Sequence, residues 1–329
     1  MKIQSIRVPG TMMSKQQRYS ETSLTETVHA VVFFDTPVQF DLRELAAALT
    51  RKTNVGAWSV APAADPLADT EEQVLTSLMC RAGSVESRVT LSAHPGPFAS
   101  DLTVPIRRSR LFDGAEDAVA CHQSYICIST DPRSTSRADR YAATARVTIV
   151  AGLFAAMANC VAVYFPTADL ISAPTQWKEA ATVTEMGEWP LESWITLHLS
   201  RVHNSEAAPP EYSCGSIGLV SFIGHEVSFP LAPVDPVMAA KQVYGACYLL
   251  LKNNDPFADG DFIAFSDPDG ERHLLVRHIQ EGQFGAQSDT WMLIHPDSAL
   301  SDDALFGTKR LPENSRIAKT AAKHSGKIV

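Results

Sequence analysis

No two cysteines of this chain stand in a CxxC pair, and no apolar run approaches the length of a membrane span. The six cysteines are scattered, and Cys127, Cys160 and Cys247 fall inside apolar stretches where a free thiol behaves as a small hydrophobe. Five residues separate Cys121 from Cys127, a spacing that fits neither a zinc knuckle nor a disulfide framework. The longest apolar runs, Ile149 to Met157 and Leu249 to Leu251, fall far short of the roughly 20 residues a spanning helix needs. The opening MKIQSIRVPGTMMSKQQRYSE has no continuous apolar core of a secretory leader, so the expectation is a cytoplasmic chain with reduced thiols. Glycine-rich phosphate loops and dinucleotide fingerprints are missing too. Arg107-Arg108-Ser109-Arg110 is the one compact basic cluster of the body and lacks interleaved aromatics, which argues against a nucleic-acid partner.

What is present is an ordinary globular composition with an uneven charge. Apolar residues make up 45% and charged residues 20% of 329 positions, enough for a large core. The formal net charge is −9, yet Lys309, Arg310, Arg316, Lys319, Lys323 and Lys327 face only Glu313 in the tail. That tail carries +5, so the body stands near −14. An acidic body repels nucleic acid and anionic membranes and favours basic protein partners.

Local patterns place the elements. Residues 1–24 are polar and aperiodic and read as a loose arm. Thr27 to Phe34 is a buried-strand pattern, Asp41 is placed to cap the helix DLRELAAALTRK, and Gly56 to Val60 offers the next strand. Between Val74 and Thr103 the period becomes two, around a Gly-Ser turn, as in an antiparallel hairpin. Tyr125 to Ser129 is a short strand, and Ser136 to Asn159 is a helix with little charge after Arg146, hence buried on most of its surface. A strand at Val161 to Phe165 and a short helix at Pro174 to Ala181 follow. Then come a strand at WITLHLSRV, two strands joined by a tight turn in GSIGLVSFIGHEVSFPLAP, a helix from Pro236 to Leu251, a strand at DFIAF and a last strand at Leu274 to His278; after Gly282 the pattern is lost, apart from WMLIH at Trp291 to His295. The helix should bury Val237, Val243, Tyr244, Cys247 and Leu250 or Leu251. The sum is an α+β fold, a mixed and mainly antiparallel sheet or sheets with helices on the faces. The expected division is an arm at 1–24, subdomains at 25–120 and 121–282, and an irregular segment with the basic tail at 283–329.

Candidate chemistry is sparse. His198 and His203 lie at an odd spacing on one strand and therefore on opposite faces, where they cannot share a metal. Gly224-His225-Glu226 could pair a base with an orienting carboxylate, but adjacent strand residues point apart, and a turn commonly carries such residues. Cys214-Gly215-Ser216-Ile217-Gly218 leads into a strand rather than a helix, the wrong context for a nucleophile elbow. Its glycines suit a turn or a close backbone approach. Asp267-Pro268-Asp269-Gly270-Glu271 lacks the long loop of a calcium hand and reads as a hairpin turn, with positive φ at Asp269-Gly270. No catalytic set, cofactor or metal site is assigned from these residues.

The order of segments resembles a bacterial α+β family of unknown function, most strongly after His122. The likeness rests on HQSYICIS before an alanine-rich helix, VAVYFP, WITLHL, GLVSFIGHEV with one extra residue before Gly224, YGACYLLL and DGDFIAF. The resemblance spans about residues 25–280, and its motifs are structural rather than catalytic. It implies a component of interbacterial toxin neighbourhoods, including type VI secretion loci, where such proteins serve as immunity proteins. The expectation is therefore a non-enzymatic cytoplasmic protein that binds a cognate toxin with a basic surface, such as a nuclease. Neither nucleic acid nor membrane is an expected partner, and a homodimer is left open. The candidate contact acids are Asp255, Asp259 and Asp261 in one turn and Asp267, Asp269 and Glu271 in the next, at opposite ends of DFIAF. The alternatives are an effector-loading adaptor, or a hydrolase using His225, Glu226 and Cys214.

Overall fold

The computed structural model describes residues 2–6, 27–52, 56–61, 74–134, 136–202, 210–253, 257–267, 270–280 and 290–295. The fold is α+β, with two seven-stranded, mostly antiparallel sheets. The chain forms two compact units, a first of Tyr19–His198 with Ser216–Glu226 and a second of Met1–Arg18, Leu199–Gly215 and Val227–Val329. Among the described residues no helix is long and apolar enough to cross a membrane.

The chain starts with β1 (Lys2–Ile6), which belongs to the second unit. The first unit then contributes β2 (Val28–Phe34), α1 (Leu42–Lys52), β3 (Ala57–Val60), β4 (Val74–Ala82) and β5 (Val85–Pro95). Next come α2 (Thr103–Arg108), α3 (Ala115–Cys121), β6 (Ser124–Thr130), α4 (Arg137–Ala155), β7 (Cys160–Phe165) and β8 (Leu170–Ser172). The helices α5 (Pro174–Glu185), α6 (Leu191–Trp194) and α7 (Val220–Ile223) complete it. The strand order is β3-β4-β5-β6-β2-β7-β8, and every pairing is antiparallel. Two strands of the expected second subdomain, β6 and β7, flank β2 of the expected first. A boundary at 120/121 would cut through this sheet, so the hydrogen-bond ladder sets the division elsewhere.

Sequence-local chemistry explains most of these elements. Asp41 Oδ1 accepts from the backbone N–H groups of Arg43 (2.6 Å) and Glu44 (3.2 Å), capping α1. The hairpin β4–β5 closes from Ala82 to Val85 across Gly83-Ser84, with Gly83 at φ 61. Ser136 caps α4 by accepting from Asp139 N at 3.1 Å. Helix α4 lies over β2, β6 and β7 and is buried nearly all round. Gly152 is required there, because a Cβ at this position would meet Ala181 Cβ of α5 at 2.4 Å. Thr148 ties the layers together. Its carbonyl accepts from Trp177 Nε1 (3.2 Å) and its Oγ1 from Trp194 Nε1 (2.9 Å).

The second sheet continues with β9 (Thr196–Val202), β10 (Glu211–Ile217) and β11 (Glu226–Ala232), followed by α8 (Pro236–Lys252), β12 (Phe262–Asp267), β13 (Gly270–Ile279) and β14 (Thr290–Ile294). Its order is β1-β12-β13-β14-β11-β10-β9. Residues 2–6 are thus a strand rather than part of a loose arm, paired from Lys2↔Ser266 to Ile6↔Phe262. That pairing partner is more than 250 positions away, beyond the reach of local pattern. The two strands expected to meet at a tight turn around Gly224-His225-Glu226 are instead joined through helix α7, which Gly224 ends at φ 77. Asp235 caps α8 by accepting from Val237 N (2.7 Å) and Met238 N (3.0 Å). The buried side of α8 runs through Ala239, Val243, Ala246, Cys247 and Leu250. Val237 is 59% exposed and Tyr244 half-buried, since both lie on the seam that carries the exposed Lys241 and Tyr248.

Candidate functional site

Three donors converge on the carboxylate of Glu226, at the closing end of the loop Ser216–Glu226. Ser216 Oγ donates to Oε2 at 2.5 Å, while the backbone N–H groups of Gly218 (2.9 Å) and Val220 (3.1 Å) donate to Oε1. Gly218 makes this possible. Its φ is +106, and a Cβ would strike Trp194 O at 2.7 Å, so the predicted close approach is real at this glycine. Burial raises the Glu226 carboxyl above the ordinary glutamate value, and the hydrogen bonds from Ser216, Val220, Gly218 and Leu219 pull it part of the way back. The arrangement holds a short helix start in place; it is a local staple. His225 is 1% exposed, and Cys214, 2% exposed, belongs to the second unit.

The acidic turns sit at opposite ends of β12, as their spacing implies. Asp259 is exposed at 55% of its side chain, accepts from His278 N at 3.0 Å and lies 3.4 Å from Arg277 Nη1. Asp261 differs from expectation. It is buried, its Oδ2 accepts from Ala258 N (2.8 Å), and its carbonyl accepts from Val276 N (2.8 Å). A carboxylate fixed inside its own turn has no free surface to offer a partner. Asp267 and Gly270 close the β12–β13 hairpin as a register pair. The side chains of Asp267 and Glu271, the conformation at Asp269-Gly270, and Asp255 lie outside the described residues, as does His203. His198 is exposed.

Sequence reasoning missed a polar and aromatic cluster on one face of the first unit's sheet. His94 stacks on its cross-strand neighbour Tyr125 at 4.5 Å, with Ser92 Oγ 2.6 Å from His94 Nε2. Phe98 meets Tyr125 edge-on at 5.1 Å and lies 6.3 Å from Tyr164. His122 Nε2 accepts from Phe98 N (2.7 Å), and Nδ1 donates to Val119 O (2.5 Å). Arg108 forms an ion pair with Asp169, whose other oxygen accepts from the Tyr164 hydroxyl at 3.4 Å. Burial and the Asp169 charge push that phenol up to about 12. Alternation along β5 and β6 hints at this face, but only the strand order β5-β6-β2-β7 assembles it.

Three of the six thiols are chemically quiet. Burial pushes Cys127 up to about 11 and Cys160 up to about 12 and raises Cys80, so all three stay protonated at neutral pH. Among the described residues, no group of three His, Cys, Asp or Glu side chains could hold a metal ion. Comparison with protein-family models, with curated proteins and with solved structures gives no match.

Proposed function

We propose that this is a non-enzymatic binding protein of the immunity type, which holds a cognate antibacterial toxin and blocks it. The observation that supports this reading is the inward commitment of its reactive groups. Glu226 is held by Ser216, Gly218 and Val220, and Asp261 by Ala258, while the thiols of Cys127 and Cys160 remain neutral. An occluding protein needs shape and charge rather than a converging nucleophile and base. The acidic body suits a basic toxin cleft, such as that of a nuclease. Asp259 is the described acid of the two turns that remains exposed enough to meet it.

The test is co-expression with any toxin that a neighbouring gene encodes. Survival of the cells is expected; death as fast as with toxin alone overturns the reading. In the purified pair, the association rate should fall steeply from low to physiological salt. A salt-independent rate would assign partner choice to apolar contacts instead.

A further inference from the structure

Helix α4 turns two arginines inward, and their surroundings differ. Arg140 is 1% exposed, and its Nε donates to Ser221 O at 2.5 Å. Arg146 is 6% exposed, its Nε has no acceptor, and no carboxylate lies within ion-pair distance among the described residues. Its guanidinium reaches the Cys80 thiol of β4. Cys80 pairs across the sheet with Trp58 of β3 on one side and Ser87 of β5 on the other. All three side chains turn to the buried face, so their Cβ atoms stand about 5 Å apart in one row. Trp58 Nε1 and Ser87 Oγ are likewise buried without a partner among the described residues.

The chemistry of this row is one-sided. Guanidinium and indole N–H only donate, and a hydroxyl can donate. The thiol does not supply the counter-charge, because burial raises it more than Arg146 pulls it down. Asp139 lies two helical turns from Arg146, about 10 Å along the axis. Its carboxyl is lowered chiefly by Ser134, and Arg146 is its weakest influence. A buried cation beside donors that lack acceptors is stabilised by an anion with several acceptor oxygens. We infer that Arg146, Trp58 and Ser87 form a binding site for a small oxyanion of the phosphate, sulfate or carboxylate class, entered beside the edge strand β3.

The experiment titrates the full chain with sodium phosphate, sodium sulfate and sodium acetate against sodium chloride at matched ionic strength. It follows the unfolding temperature and tryptophan fluorescence. At least one oxyanion should give a saturable rise beyond that of chloride, and the oxyanion that saturates lowest identifies the class. Arg146→Met should abolish the rise. Trp58→Phe, which keeps a ring but loses the N–H, should weaken binding about ten-fold and decides the matter if Arg146→Met does not fold. A response indistinguishable from chloride overturns the inference. So does a saturable response that persists undiminished in both variants.

Discussion

Helices α4 and α8 are the principal helices of the two units, and they are buried by different means. The inner side of α8 is small and apolar, from Ala239 to Leu251, with Gln242 as the one buried polar residue. Helix α4 instead buries Arg140, Thr144, Arg146 and Thr148. Arg140 is anchored on Ser221 O, and Thr148 receives two tryptophan N–H groups. Gln242, in contrast, has neither amide atom partnered among the described residues. A buried polar side chain thus contributes to stability through the partner it finds, and its burial alone is a cost.

The largest expected effect tests the apolar helix. Leu250→Ala should lower unfolding free energy by about 2–5 kcal/mol in denaturant titration, since Leu250 is 3% exposed. A change within about half a kilocalorie would mean that this side of α8 is not a packed core. The comparison itself sharpens with a pair of substitutions. Thr148→Val keeps the shape but leaves Trp194 Nε1 without its acceptor, at a cost of about 1–3 kcal/mol. Gln242→Met removes an amide with no partner and should be neutral or stabilising to about 1 kcal/mol. Equal losses at both positions would break the contrast.

The smallest effect is a pH dependence at Glu226. Its folded value is raised above the ordinary 4.5, so the native state holds this proton more tightly than the unfolded chain. The stability it contributes is fully present below 4.5 and is lost as pH rises through the raised folded value. Glu226→Gln should flatten that part of the stability–pH curve. At neutral pH it should change stability by less than about 1 kcal/mol, because an amide oxygen can still accept from Gly218 and Val220. An unchanged curve would show that the raised value belongs to another group.

The candidate contact acids show how far the sequence reached into function. Their placement at the two ends of β12 followed from strand length and turn residues. That Asp261 closes its own turn while Asp259 stays exposed did not, because it depends on Ala258, Arg277 and His278 arriving from β13 and the turn together. His225-Glu226 looked like a base and its orienter; Glu226 instead staples backbone N–H groups six and eight residues upstream. That role had a legible signal in Gly218, whose freedom lets the loop fold back on the carboxylate.

By itself the sequence determined what local physics controls. The capping aspartates Asp41 and Asp235, the two-residue turn at Gly83-Ser84 and the helical and two-residue periods all act within a few positions of chain. They suffice for the α+β class. Tertiary structure decided the rest: β1 paired with β12, β2 inserted between β6 and β7, the histidine–tyrosine face, and Arg146 set against Trp58, Cys80 and Ser87. Each of these joins residues dozens to hundreds of positions apart. Their energies come from a hydrogen-bond ladder and from desolvation, both of which exist only once the sheets are assembled.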